Sequence, residues 1–275
     1  MRVVCGICPH ACSLEEGQTG LCRARVNYRG EIICENYGKL TGIALDPIEK
    51  KPLRRFFPGS LILSVGSYGC NLRCPFCQNS NIAQCGGEKL DILEVSPETL
   101  VNKALELKPA GNIGLAYTYN EPLVGYEFVR DCATLAAEQG LKNVVVTNGT
   151  ICEKPLRELL PLIDAMNIDL KAFSERFYRL IGGDLATVKQ TIELASKACH
   201  VEVTTLIVPG ENDDEAEMEA LAAWLASLRP DIALHVTRFF PRWQMAERQP
   251  TPLDTVHRLA RVARRHLQQV YEGNC

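Results

Sequence analysis

Short apolar runs recur along most of the chain, at residues 61–65, 113–117, 144–147, 165–170, 201–208 and 234–239. Runs of this length suit buried strands better than helices. Between them, apolar residues return every three or four positions near 97–107, 123–138, 153–161, 184–198 and 213–228, the period of an amphipathic helix. Strand and helix in alternation predict βα units on a parallel sheet. Six units fall short of the eight that close a full barrel. The expected fold is therefore α/β, a partial (βα)6 TIM-like barrel, with a last amphipathic helix over about 254–267.

Before residue 60 that rhythm is missing. Residues 1–23 are loop-like and rich in cysteine and glycine, and residues 24–45 read as short strands, with a turn at Arg29-Gly30. A basic loop from Glu49 to Arg55 closes at Pro58-Gly59. The expected division is a Cys-rich N-terminal extension over 1–58 and the barrel with its C-terminal helix over 59–275.

Composition adds one surprise. Apolar residues at 46% and charged residues at 23% are those of a soluble globular protein. Thirty basic against thirty-three acidic residues give a net charge of -3, which argues against a nucleic-acid partner. No apolar run spans a bilayer, no signal-peptide pattern opens the chain, and a cytoplasmic location without a membrane partner is expected. The surprise is 13 cysteines. An odd number excludes a fully paired disulfide scaffold, and nine of them crowd into residues 1–85, as metal chemistry in a reducing compartment would need.

The sharpest motif is Gly69-Cys70-Asn71-Leu72-Arg73-Cys74-Pro75-Phe76-Cys77-Gln78-Asn79, a C-x3-C-x2-C spacing directly after the first strand. It falls at the C-terminal ends of the strands, where barrels assemble their active sites. Soft thiolates select iron–sulfur clusters and zinc. Three are one short of a closed four-iron cube, so one iron keeps an open position for a ligand. At the following strand ends stand Asn120-Glu121-Pro122, Val146-Thr147-Asn148-Gly149, Asn167-Ile168-Asp169-Leu170-Lys171, and a segment from His235 to Arg242 that includes Arg238. Alternation puts Asn167, Asp169 and Lys171 on one face, into the barrel if Ile168 and Leu170 point outward.

The cysteine triplet with Phe76 resembles the signature of the radical S-adenosylmethionine (SAM) superfamily. That resemblance implies a 4Fe-4S cluster on Cys70, Cys74 and Cys77, SAM chelated at the open iron, and reductive cleavage to a 5′-deoxyadenosyl radical that abstracts hydrogen from a substrate. It also implies cofactor contacts from Phe76, Gln78, Asn120, Glu121, Thr147, Asp169 and Lys171, while Arg238 by its own chemistry suits either a bidentate clamp on a cofactor carboxylate or a surface ion pair. The Asp169/Lys171 pair is similar to that of pyruvate formate-lyase (glycyl radical enzyme) activating enzymes, which points to an oxidoreductase of the activase type. A protein or small-molecule substrate and an electron donor such as flavodoxin or ferredoxin would then be its partners. Cys8-Pro9-His10-Ala11-Cys12, the stretch from Asp46 to Leu53, Cys77-Gln78-Asn79, the stretch from Tyr117 to Pro122 and that from His235 to Pro241 resemble the radical SAM proteins of AmmeMemoRadiSam systems.

A second cysteine set, Cys5, Cys8, Cys12 and Cys22, has the spacing C-x2-C-x3-C-x9-C. Four thiols suit either a structural zinc or an auxiliary 4Fe-4S cluster. Lys50, Lys51, Arg54 and Arg55 offer a basic loop to an acidic or nucleic-acid partner, and Arg258, Arg261, Arg264 and Arg265 a solvated helix face.

Overall fold

A computed structural model describes residues 1–275. Its central sheet holds β1 (Gly42–Pro47), β2 (Leu61–Gly66), β3 (Asn112–Tyr117), β4 (Lys142–Thr147), β5 (Ala165–Asp169), β6 (His200–Ile207), β7 (Ala233–Arg238) and β8 (Val270–Gly273). They lie side by side in chain order. β2 to β8 are parallel and β1 runs antiparallel to β2. The two end strands do not pair, so the barrel stays open.

The connecting helices are α1 (Pro97–Glu106), α2 (Tyr126–Glu138), α3 (Glu153–Leu159), α4 (Glu175–Ile181), α5 (Leu185–Ser196), α6 (Glu215–Leu228) and α7 (Leu253–Ala263). Ser96, Asp184 and Asp214 cap α1, α5 and α6, each side chain accepting from a backbone N–H three residues on. No helix is long and apolar enough to cross a membrane.

All six predicted strands form. β1 and β8 add to them, both at sheet edges where the apolar signal is weak. The two faces of the sheet divide the residues cleanly. Leu63, Val65, Leu115, Val145, Met166, Ile168, Val203, Leu234 and Val236 belong to the main core with the helices. Register partners on the opposite, concave face include Ser64, Ala116, Val144 and Ala165, then Asn167 beside Glu202 and Asp169 beside Thr204.

Residues 48–56 fold under the N-terminal ends of the strands. Ile48, Leu53 and Phe56 bury themselves with Ile62, Ala116, Val144 and Ala165. The Asn167 amide donates to the Pro52 carbonyl at 2.8 Å, and the Glu202 carboxylate accepts from the backbone of Arg54 at 3.0 Å and Arg55 at 2.7 Å. The basic loop is thus a floor, and this corrects its reading as a partner surface at one residue above all. Lys51 is 2% exposed, its Nζ 2.8 Å from Asp46 and 4.7 Å from the Tyr119 ring centroid. Residues expected in an extension ending at 58 therefore supply both a sheet strand and the barrel's floor.

Glu202 gives this floor a pH dependence. It is buried, which disfavours its charge, yet the ring N–H groups of His200 and His235 and the two backbone N–H groups hold its pKa down at about 2. A depressed carboxylate stabilises the fold above its unfolded pKa and loses that contribution as pH falls toward the folded value. Roughly 3 kcal/mol should vanish between about pH 5 and pH 2. Denaturant titrations of wild type and Glu202→Gln should show the wild-type acid slope and a flatter one for the variant; equal slopes would refute the assignment.

Candidate active site

The cysteine loop leaves β2 at Gly66 and is held from behind. Asn120 accepts from the Ser67 N–H at 3.0 Å and donates through its amide to the Tyr68 and Gly69 carbonyls, each at 3.0 Å. Gly69 takes φ +88, and a Cβ there would meet the Cys22 carbonyl oxygen at 2.4 Å. That same oxygen accepts from the Cys70 N–H at 3.1 Å. The Asn148 amide donates to Asn71 Oδ1 at 2.9 Å and lies 3.6 Å from the Cys70 sulfur; Leu72 N–H points at that sulfur from 3.3 Å. Past Cys77, the Asn79 amide donates to the Tyr119 carbonyl at 2.6 Å, with Tyr119 itself at φ +71. Such a backbone in a bulky residue is strained, and strain of this kind gathers at functional sites.

All three thiols sit where burial raises their pKa. Burial pushes Cys74 up to about 12, against the opposing charge of Lys171, and drives Cys70 well above its ordinary value, helped by Glu121. Lys171 lies 2.7 Å from Asp169. Burial disfavours its charge, but Asp169 and Cys74 outweigh that and raise its pKa. An ion pair therefore stands at the end of β5, within electrostatic reach of Cys74 and Cys77.

The expected cofactor residues divide into two groups. Asp169 and Lys171 stand at the mouth beside the thiols; Ile168 and Leu170 point into the core as alternation requires. Phe76 is buried against Phe177, with ring centroids 5.9 Å apart, and Gln78 is exposed beside Cys77. Asn120, Glu121 and Thr147 work from behind the site. The Asn120 amide is committed to the loop. Glu121 is 3% exposed and accepts from Leu123 N–H at 3.0 Å, the Thr147 hydroxyl at 2.7 Å and Asn148 N–H at 2.7 Å. Burial lifts its pKa to about 7, and those three donors limit the rise.

Arg238 is a correction. It registers with Ile207, whose side chain is in the helix-side core, and its Nε donates to the Thr251 carbonyl at 2.7 Å. It does not face the mouth. Asn71, Asn79 and Asn148 were missed as loop anchors. Their signal was only that asparagines flank the cysteines and follow Thr147.

This donor set fits an iron–sulfur cluster. A cluster of several irons asks for soft thiolates, each on its own iron, and the one loop bearing Cys70, Cys74 and Cys77 supplies three of them.

Residues 64–222 match the model of the Radical SAM superfamily. The chain belongs to that superfamily. An uncharacterised protein of Methanocaldococcus jannaschii is 38% identical over 276 residues, covering 99% of this chain and 81% of that protein. Pyruvate formate-lyase 1-activating enzyme of Escherichia coli is 27% identical over 154 residues, covering 54% of this chain and 61% of the enzyme. Among solved structures, a domain of pyruvate-formate lyase-activating enzyme from Bacteroides vulgatus superposes with a TM-score of 0.50 at 19% identity, covering 58% of this chain and 99% of that one. QueE from Escherichia coli gives 0.51 at 14% identity, covering 85% and 92%. These structures share the partial-barrel fold. The relation to pyruvate formate-lyase activating enzymes, expected from the cysteine loop and the Asp169/Lys171 pair, therefore holds, and with it a radical SAM enzyme whose family implies a 4Fe-4S cluster and SAM.

Proposed function

We propose that this chain is a glycyl-radical-activase-like enzyme, with Cys70, Cys74 and Cys77 as cluster ligands and the Asp169/Lys171 pair beside SAM. When bound, the cluster and SAM supply reductive C–S cleavage and a 5′-deoxyadenosyl radical for hydrogen abstraction. The observation that carries this reading is the Asp169/Lys171 ion pair at the strand end next to the three-thiol loop.

The chain's own residues do the positioning. Asn120 and Asn148 fix the cysteine loop through carbonyls and the Asn71 amide. Glu121 ties the end of β3 to Thr147 and Asn148 at the end of β4. Lys171 offers its ammonium to an anionic group of the cofactor, and Asp169 keeps that ammonium charged and oriented. Phe76 packs against Phe177 and keeps water from the buried side of the loop. A one-electron donor of the flavodoxin or ferredoxin class would serve as reductant.

Anaerobic reconstitution with iron and sulfide, followed by SAM and dithionite, should give 5′-deoxyadenosine and methionine in equal amounts. Neither product would sink the enzyme reading. Deuterium should pass into 5′-deoxyadenosine from a Cα-deuterated glycine in a protein substrate; transfer only from small molecules would replace the activase reading. Lys171→Met should weaken SAM binding at least tenfold, about 1.4 kcal/mol, while cluster iron stays at its wild-type level. Equilibrium binding of SAM to the reconstituted variant checks this, and unchanged affinity would remove Lys171 from the cofactor site.

A further inference from the structure

The cysteine loop has an exposed edge. Leu72, Cys74 and Phe76 are buried, whereas Arg73 and Gln78 reach solvent. Two backbone bonds fasten other elements to this edge. Arg73 N–H donates to the Ile181 carbonyl at the end of α4 at 2.8 Å, and Gln244 N–H donates to the Pro75 carbonyl at 3.0 Å. The Glu211 carboxylate joins those two elements, lying 3.5 Å from Arg176 of α4 and 2.9 Å from Arg248. Loop, α4 and the segment after β7 thus form one continuous rim.

Arginine marks this rim. Arg73, Arg176, Arg179, Arg242 and Arg248 are all exposed. Glu211 pairs with Arg176 and Arg248, but Arg73, Arg179 and Arg242 stand in no ion pair. Most carboxylates close by are already occupied. Asp213, Asp214 and Glu217 accept from backbone N–H groups, which leaves Glu175 and Glu247 exposed and unpaired. Among the arginines lie large apolar side chains in solvent, Leu180 at 47%, Phe240 at 43% and Trp243 at 39% exposure. Trp243 takes φ 45, a strained backbone for a bulky residue, and holds its ring out beside Gln244. Exposed tryptophan among unpaired arginines is the composition that protein interfaces favour at their centres.

The position of the rim chooses its occupant. Arg73 lies between Cys70 and Cys74, and Pro75 between Cys74 and Cys77. A protein seated here touches the loop that bears the three thiols. None of the five arginines is on a strand, so such a protein leaves the concave face free. A macromolecular substrate must bring its reacting group to that face; an electron carrier need only come near the thiols. Unpaired guanidinium groups ask for a negative surface.

We infer that Arg73, Arg179 and Arg242, with Leu180 and Trp243, form the docking surface for an acidic one-electron carrier protein. This rests on the reading of Cys70, Cys74 and Cys77 as cluster ligands. In the docked pair the carrier's redox centre loses one electron and the cluster gains it; no bond breaks and no proton moves. Opposite charge steers such encounters, salt weakens them, and the contact between redox partners is small.

The test uses the full chain, reconstituted anaerobically with iron and sulfide, with a flavodoxin and an acidic ferredoxin as probes. The test variant is Arg179→Glu with Arg242→Glu, two exposed side chains that bond to nothing. Lys154→Glu with Arg261→Glu makes the same charge change on α3 and α7 and is the control. Calorimetric titration at low salt should show the dissociation constant raised at least tenfold in the test variant and less than twofold in the control. Added salt should weaken wild-type binding steeply and the test variant's far less. Cluster reduction by the bound carrier should slow at least tenfold in the test variant, while dithionite reduces all three proteins to the same extent. Equal affinity in wild type and test variant, equal losses in test and control, or no binding of either carrier to the wild type would overturn the inference. Titration of the chain without iron separates the two readings. Charge-dependent binding there, in a protein that takes up no cluster on reconstitution, would sink the proposed function and leave the docking surface standing.

Discussion

Replacing Cys74 with alanine removes 5′-deoxyadenosine formation to below about one thousandth of the wild-type rate and takes roughly four irons from each chain. The size of the effect follows from the ligand count. Three thiolates already leave one iron open, and two cannot hold the rest against exchange with solvent. No neighbour can step in. Cys85 is directed to its own helical turn, with its sulfur 2.8 Å from the Asn81 carbonyl. Cys74 is buried beside the core, so alanine leaves only a small void and the fold should survive. Circular dichroism and iron analysis beside the product assay separate loss of the cluster from loss of the fold. Cys85→Ala is the control and should keep full activity. SAM cleavage retained by Cys74→Ala would refute the cluster assignment.

Gly69→Ala should be the most damaging single methyl group in the loop. At φ +88 a side chain costs about 1–2 kcal/mol for its backbone alone. The added carbon would also stand 2.4 Å from the Cys22 carbonyl and 3.1 Å from the Ala24 methyl. Relief requires that carbonyl to move, which breaks its hydrogen bond from Cys70. Together these amount to about 3 kcal/mol or more, near 10 °C in thermal midpoint. Gly140 separates the two causes, since it takes φ +66 with nothing within 4 Å of a built Cβ. Gly140→Ala should cost only about 1 kcal/mol and keep its iron. Equal losses from the two variants would mean that the contact with Cys22 carries no weight.

What the sequence revealed, and what it hid, depends on how locally each feature is encoded. The cysteine loop was legible because its ligands lie within eight consecutive residues. The six inner strands were legible because residues such as Val144 and Ala165 are apolar on one face while Val145 and Met166 are apolar on the other. β8 is four residues at a sheet edge, and its Val-Tyr-Glu-Gly has no such pattern. Lys51 looked like surface because charge in a sequence carries no depth. Its partners Asp46 and Tyr119 come from a neighbouring strand and a distant loop. Arg238 misled for a different reason, since only the register with Ile207 shows which way it turns. Glu121 sits at the right strand end, but no sequence shows that three donors already occupy its carboxylate.

The floor laid by residues 48–56 closes the barrel from beneath, at the N-terminal ends of its strands, while the side between β1 and β8 stays open. Traffic between the concave face and solvent therefore runs past the cysteine-loop end and along the unpaired seam, never through the underside.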